Sequence, residues 1–567
     1  MSQKASLPKG QEEFVESIEP EQLQNVPPPK DGTGSQPKGD QALQLIQEAG
    51  HSSILTPENN AKVLRKIDLR LLPILLGIYF LQQLDKSTIS YASVFGIVEK
   101  ANLQGQEYSW LGGSIYLAQL VFQPLVAYLL VKVPLAKFLA ASCLLWGIAL
   151  TCMTAATNFR ELLVCRIFLG IFEAGIGTFS PHSSRSLLMR IIPLAPAFIA
   201  VTQMWYRRRE QPVRLSSWYA MNGVVNMFGS LIAFGLGHIK SSIFAPYQII
   251  FLFFGLVTVG FSAVILIFMP DSPVSAKFLG EEDRLLSIER QRMNQQGVES
   301  QEWKWDHAKE ALLDPKSWFW FALMFSISVP SGGITTFGPL IIKSFGLSEY
   351  DTMLFNIPFG AVQLVATMGG AWLATFWNMK SPVLALLCLP PIAGCVMLLQ
   401  IAHDNAHKGP LLAGYYIFLM STFQISVYPA ITPLIYSWSA GNTAGETKKK
   451  VTTAILYVGQ CAGNVLGPNL YTTAEAPLYR RGLLSNLALF CVLIGLTGAN
   501  SAYLYYLNKQ HEKRRVAVGK SAKIVDQSMQ AVQAVSDDKE DLPQQPADDN
   551  AWKDLTDWQN EDFVYVF

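Results

Sequence analysis

Long apolar stretches separated by short charged segments run along the chain from about residue 71 to residue 507. Because lipid cannot satisfy free backbone N–H and C=O groups, a stretch of about 20 apolar residues predicts a membrane-spanning helix. The pattern predicts an all-α polytopic membrane protein with twelve such helices. They fall into two sets of six, at 71–97, 109–130, 138–156, from 162, 215–239 and 247–269, then at 318–341, 353–377, 382–402, 411–438, 451–471 and 483–507.

Polar segments around the two sets define the domains. We predict an N-terminal tail of residues 1–60, a six-helix half of 61–270, a central loop of 271–316, a second half of 317–508 and a C-terminal tail of 509–567. Both tails have few apolar residues, so we expect them to be disordered. The central loop contains one charged helical stretch, GEEDRLLSIERQR.

Lys and Arg residues are unevenly distributed between the two ends of the predicted helices. Eighteen lie near the ends that share a side with the chain termini, and seven lie near the opposite ends. Positively charged loops tend to stay in the cytoplasm. We therefore expect both termini and the central loop to be cytoplasmic.

The composition argues against other classes of protein. Half of the residues are hydrophobic, 15% are charged and the net charge is +1, so nothing indicates nucleic-acid binding. The seven cysteines all lie in predicted helices, and no metal-ligand spacing is present. No nucleophile and base form a catalytic set. We expect no enzyme activity, no metal and no cofactor.

Six motifs follow one another along the chain. They are LRKIDLRLLPILLGIYFLQQLDKSTISYAS, CRIFLGIFEAG, AFIAVTQMWYRRREQPVRLSSWYAMNG, SVPSGGITTFGPLIIKSFG, SWSAGNTAGETKKKVTTAILYVGQCAGNVLGPNLY and DLTDWQNEDFVYVF. Together they resemble the fungal allantoate permease group of the anion:cation symporters, within the major facilitator superfamily. The resemblance implies a proton-coupled carrier of a small organic anion, ureide or vitamin, with its site between the halves. We expect a monomer in the plasma membrane.

Two charged neighbours, Asp85 and Lys86, lie in the middle of the first predicted helix. A charge at the centre of a membrane helix costs roughly 2.5 to 3.5 kcal/mol, so it usually faces a partner or a watery cavity. Neighbours on a helix point about 100° apart, so each needs its own partner. We interpret Asp85 as protonatable and Lys86 as attracting an anion; the alternative is that both are structural charges.

Arg166 and Glu173 are seven residues apart, which places them on one face of the fourth helix. They suit an anion contact and a proton site. The resemblance supports this interpretation, because the family carries the same Arg and Glu in that helix. Packing or gating charges are the alternative.

Uncharged polar residues also mark the predicted helices. Amides four residues apart form a polar patch, which predicts either cavity lining or hydrogen bonds between helices. The seventh helix has hydroxyls beside Gly332 and Gly333, where we expect a break that exposes backbone groups to substrate. These candidates are Gln119 with Gln123, Asn222 with Asn226, Gln460 with Asn464, and Ser331, Thr335 and Thr336. The repeat of Gly459, Gly463 and Gly467 predicts a close-packing helix face.

Residues 177–194 interrupt the fourth helix with two prolines, two arginines and a histidine. Without them, 162–176 would join 195–206 in one helix long enough to span. Gly-Thr-Phe can be encoded with a GTACGT intron start and Pro-Leu-Ala with a terminal TTAG. We interpret the segment as a retained intron of 54 nucleotides; a genuine loop outside the membrane, or one re-entering it, is the alternative.

Two other functions fit the same sequence. The carrier could export a fungal secondary metabolite, since one fold serves both directions. A nutrient receptor that signals without transport is a third interpretation, but the short tails do not favour it.

Sequencing the messenger RNA tests the intron interpretation. We expect spliced transcripts that lack the codons for residues 177–194. If every transcript retains them and the full-length product transports, the segment is a genuine part of the carrier.

Overall fold

The computed structural model describes residues 57–132, 135–174, 205–206, 211–270, 276, 278–292, 304–377, 379–400, 425–476, 478–517, 519, 555–560 and 563–567. Within these residues every regular element is a helix, which confirms the predicted all-α class. Seven of the described helices are long and apolar enough to cross a membrane, judged by length and composition.

Each predicted span overlaps a helix in the described part of the chain, and we number these helices α1 to α12. The first six are α1 (Pro57–Val94), α2 (Glu107–Lys132), α3 (Leu135–Cys152), α4 (Phe159–Ala174), α5 (Gln211–Gly237) and α6 (Pro246–Phe268). The second six are α7 (Pro315–Lys343), α8 (Glu349–Trp377), α9 (Ser381–Gln400), α10 (Ile431–Gly441), α11 (Glu446–Asn469) and α12 (Arg480–Ala517). The segment 177–194 and residues 411–424 of the tenth span lie outside the described residues.

Shorter helices occupy the connections. The helix Glu281–Arg292 lies in the charged stretch of the central loop, which confirms the helix predicted there. Trp305–Leu313 follows it, and Ile97–Lys100 follows α1. Two 3₁₀ helices, Ile425–Ala430 and Thr473–Glu475, precede α10 and α12.

Several helices extend past the predicted spans. α1 begins at Pro57, α7 begins at Pro315 and α12 continues to Ala517. Hydropathy marks the part of a helix that suits lipid, whereas Lys, Arg, Glu and Gln continue a helix equally well in water. The predicted boundaries after residues 60, 316 and 508 therefore cut through helices.

We expected from its composition that the C-terminal tail is disordered. This expectation is wrong for the part of the tail that the structure describes. Residues 555–560 and 563–567 pack against the C-terminal half, where Asp557 is fully buried and Tyr565 is 1% exposed. A few aromatic and charged residues at the right positions suffice for docking, and the average composition of the tail does not show them.

Helices α7 and α11 pack closely through glycine. A Cβ atom added at Gly463 would lie 2.6 Å from Cβ of Ser328, and one at Gly467 would overlap the carbonyl oxygen of Val329. The predicted close-packing face on α11 is thus confirmed. Backbones can approach this closely only where no side chain intervenes.

The two halves meet through α1, α2 and α5 on one side and α7, α8 and α11 on the other. Tyr108 donates from its hydroxyl to the carbonyl of Thr336, at 2.7 Å. Ser109 donates likewise to the carbonyl of Tyr471, at 3.0 Å. Where α5 crosses α8, a Cβ at Gly223 would lie only 2.5 Å from the carbonyl oxygen of Gly360. Close backbone contact and a few hydrogen bonds hold the halves together.

Gly463→Ala tests the packing of α7 on α11. The added methyl would collide with Ser328 and with the carbonyl of Phe325, and overpacking typically costs about 1 to 3 kcal/mol. We expect a Tm several degrees lower for the purified protein in detergent. Gly495→Ala is the matched control, because nothing lies within 4 Å of a Cβ at that position of α12. Equal melting temperatures for both variants would contradict the close-packing role.

Candidate transport site

A cavity lies between the two halves, among α1, α2, α4 and α7. The gaps between its lining atoms total about 250 Å³ and leave room for about one water molecule, so the cavity is nearly closed in this conformation. The N-terminal half contributes most of the lining, and α7 contributes the rest. The lining residues are Lys86, Ile89, Gly112, Ile115, Tyr116, Arg166, Gly332, Thr335 and Thr336.

Lys86 and Glu173 form an ion pair beside this cavity. Nζ of Lys86 lies 3.4 Å from Oε1 of Glu173, which is long for a hydrogen bond. The other carboxylate oxygen, Oε2, accepts a hydrogen bond of 2.9 Å from the amide of Gln119. Glu173 is 1% exposed. The ammonium group of Lys86 also lies 5.6 Å from the ring centroid of Tyr116.

Arg166 lies about two helix turns from Glu173 on the buried face of α4, as the spacing predicts. Its Nε donates to the carbonyl of Leu111, at 3.1 Å. Its Nη1 is buried and has no hydrogen-bond partner in the described structure. A buried guanidinium with an unused donor is costly. The geometry leaves that donor available to an anion in the cavity.

Asp85 lies away from the cavity, inside the N-terminal half. Its Oδ2 accepts hydrogen bonds from the indole of Trp146 on α3, at 2.6 Å, and from the hydroxyl of Thr258 on α6, at 3.1 Å. Its Oδ1 has no hydrogen-bond partner in the described structure. Asp85 and Lys86 thus have separate partners, as their positions on the helix require. Both hydrogen-bond partners of Asp85 are uncharged.

Most of the candidate amides form contacts between helices rather than lining the cavity. Asn226 donates to Gln363 across the two halves, at 2.6 Å, and Asn222 donates to the hydroxyl of Tyr79, at 3.4 Å. The hydroxyl of Tyr436 donates to Gln460 at 2.6 Å, and the hydroxyl of Tyr457 donates to Gln119 at 3.5 Å. Asn464 donates to the carbonyl of Gln460 within α11, at 2.9 Å. The side chain of Gln123 lies outside the described residues.

The expected break at Gly332 and Gly333 is wrong, because α7 runs unbroken from Pro315 to Lys343. A Cβ at Gly332 would lie 2.8 Å from the carbonyl oxygen of Asn464, and one at Gly333 would collide with the ring of Tyr471. These glycines therefore permit close packing. Of the neighbouring hydroxyls, Thr335 and Thr336 line the cavity, whereas Ser331 is not in the described lining.

Sequence reasoning missed several partners of the charged residues. Trp146 and Thr258 are each one of several weakly polar side chains in apolar helices, and Tyr116 is one aromatic residue among many. No spacing distinguishes them from ordinary packing residues. Only the arrangement of α1, α3 and α6 shows that the first two meet Asp85.

The model of the Major Facilitator Superfamily matches residues 75–181 and 192–468. The chain belongs to this superfamily. The match omits residues 182–191, which fall within the segment 177–194 that we interpret as an insertion. The origin of that segment in a retained intron stays a prediction.

Relatives of the chain are transporters. An uncharacterized transporter of Schizosaccharomyces pombe is 32% identical, over 81% of this chain and 82% of that protein. The thiamine pathway transporter THI73 of Saccharomyces cerevisiae is 30% identical, over 90% and 87%. The allantoate permease of the same yeast is 28% identical, over 93% and 90%. These relatives confirm the predicted similarity to the allantoate permease group.

A solved structure shares the fold. A bacterial homologue of the human lysosomal transporter Spinster, in an inward-facing and occupied conformation, aligns with a TM-score of 0.54 at 13% identity. The alignment covers 76% of this chain and 96% of that one. This likeness shows the fold. The family match and the relatives show that the chain is a multi-pass membrane transporter rather than an enzyme.

Proposed function

We propose that the chain is a proton-coupled symporter of a small organic anion, such as a ureide or a vitamin carboxylate. The observation that carries the proposal is Arg166, which is buried at the cavity with an unused Nη1 donor. Guanidinium matches a carboxylate with two parallel donors, so an anion is the ligand that best relieves its buried charge. The allantoate permease among the relatives supports this class of substrate.

The charges at the cavity supply a coupling mechanism. Lys86 and Arg166 are cations, and Glu173 is an acid whose contact with Lys86 is long. Protonation of Glu173 would break this ion pair and free Lys86 for the anion. The proton and the anion then favour each other's binding, because together they add no net charge to the buried site.

Alternating access completes the proposal. The cavity is lined by both halves, so relative movement of the halves would open it to either side of the membrane. The uneven distribution of Lys and Arg supports cytoplasmic termini, and we propose that the protein acts as a monomer in the plasma membrane.

Arg166→Lys tests the anion contact. Lysine carries its donors on one nitrogen, so it cannot fill the positions of both Nε, which binds the carbonyl of Leu111, and Nη1. One charged hydrogen bond is worth about 1.5 to 3 kcal/mol. We expect KM to rise roughly 10-fold to 100-fold at unchanged expression. Uptake of a panel of radiolabelled small carboxylates, allantoate included, would measure it. Arg160→Lys, at an exposed site on the same helix, is the control. Unchanged kinetics in both variants would make Arg166 a structural charge.

Glu173→Gln tests the coupling. A neutral amide mimics the protonated acid, so we expect substrate exchange to persist while accumulation driven by an imposed pH gradient is lost. Asp85→Asn is the comparison, since it neutralises a buried acid that lies away from the cavity. We expect that variant to retain accumulation. The reverse result would move the coupling site from Glu173 to Asp85.

A further inference from the structure

Residues 555–560 and 563–567 lie against one end of the C-terminal half. We call the sequence 555–567 the tail segment. The sequence 518–554 connects this segment to the end of α12. Thr556 and Asp557 are fully buried. The cavity between the halves does not include any residue of this segment.

Asp557 lies in a buried cluster of charges. It pairs with Lys316 at the start of α7, and its Oδ1 lies 2.9 Å from Nζ of Lys448 at the start of α11. Lys448 is also 2.8 Å from Asp314 and 2.8 Å from Glu310. Both lysine side chains are fully buried. Burying such a pair stabilises a structure only when hydrogen bonds satisfy the charges.

The surroundings keep Asp557 charged. Burial alone would raise the pKa of its carboxyl, but the two lysines outweigh burial and hold the pKa below its usual range. The hydroxyl of Tyr565 donates to Oδ2 of Asp557, at 2.9 Å, and the backbone N–H of Ala444 donates to Oδ1, at 3.2 Å. Each carboxylate oxygen therefore has a donor besides lysine.

The rest of the segment makes paired backbone contacts. Asn508 on α12 donates to the carbonyl of Tyr565 at 2.8 Å and accepts from its N–H at 2.9 Å. Asn442 makes the same two bonds with Val566, both at 2.8 Å. Trp438 on α10 also donates to the carbonyl of Val566, at 2.9 Å. The backbone N–H of Lys380, before α9, donates to the carbonyl of Phe567 at 2.7 Å.

We propose that the tail segment is an intramolecular ligand that clasps the ends of α7, α9, α10, α11 and α12, so that the C-terminal half moves as one body. The helices that it joins through Asp557 are α7 and α11. α7 lines the cavity with Gly332, Thr335 and Thr336, and α11 packs on α7 through glycine. The clasp therefore fixes at one end the two helices whose alignment shapes the C-terminal side of the cavity. It acts whatever the substrate is.

Cleavage of the folded protein tests the clasp without asking a shortened chain to fold. A protease site inserted within residues 518–554 of the full chain would be cut after purification in detergent. We expect the released tail segment to stay bound through gel filtration, with an unchanged Tm. Asp557→Asn in the same cleavable protein should lose the segment, because residue 557 then no longer forms ion pairs with Lys316 and Lys448. Asp351→Asn, an exposed acid at the start of α8, is the control and should retain it.

Truncation after residue 554 gives a second measurement. We expect a Tm lower by about 5 °C or more and faster hydrogen exchange at the starts of α7 and α11, with exchange in α1 unchanged. A synthetic peptide of residues 555–567 should restore both, and the same peptide with Asp557→Asn should not. Loss of the segment from the cleaved parent protein, or a truncated protein with unchanged Tm and exchange, would overturn the proposal. Neither result would bear on transport of an anion.

Discussion

Water does not solvate the middle of a membrane-spanning bundle, so the protein itself must satisfy each charge placed there. Lys86 and Glu173 form a long ion pair, and Asp85 takes hydrogen bonds from Trp146 and Thr258. One buried polar atom each of Asp85, Glu173 and Arg166 has no hydrogen-bond partner in the described structure, and of these three residues Arg166 lines the cavity. The cost of an unsatisfied buried donor therefore makes Nη1 of Arg166 the natural contact for a ligand.

Glycine lets helices pack closely both within one half and between the two halves. Gly463 and Gly467 let α11 lie directly on α7 within one half, while Gly223 and Gly360 let backbones of different halves touch. Where Gly223 meets Gly360 the backbones touch directly, although side chains such as Asn226 and Gln363 also join the halves. Two bodies that meet over small residues can change their relative tilt with little repacking, whereas interdigitated side chains would resist it.

The sequence predicted what depends on local pattern. Apolar length identified the helices, and the spacing of Arg166 and Glu173 placed both on the buried face of α4. The sequence did not show that Trp146 and Thr258 contact Asp85. Those contacts depend on how α1, α3 and α6 pack, and no residue spacing encodes that packing. Glycine was ambiguous for a related reason: Gly332 and Gly333 can break a helix or let another approach, and Asn464 and Tyr471 decide in favour of approach.

The tail was misjudged because composition averages over many residues. Asp557, Tyr565 and Val566 make the main docking contacts, whereas most other residues of the tail are polar. Their position has a consequence for biosynthesis. The buried lysines at the starts of α7 and α11 receive this partner only after all twelve helices have been synthesised. Assembly of the C-terminal half therefore ends with a step that a partly synthesised chain cannot perform. Until that step, Lys316 and Lys448 have Asp314 and Glu310 as anionic partners but lack Asp557.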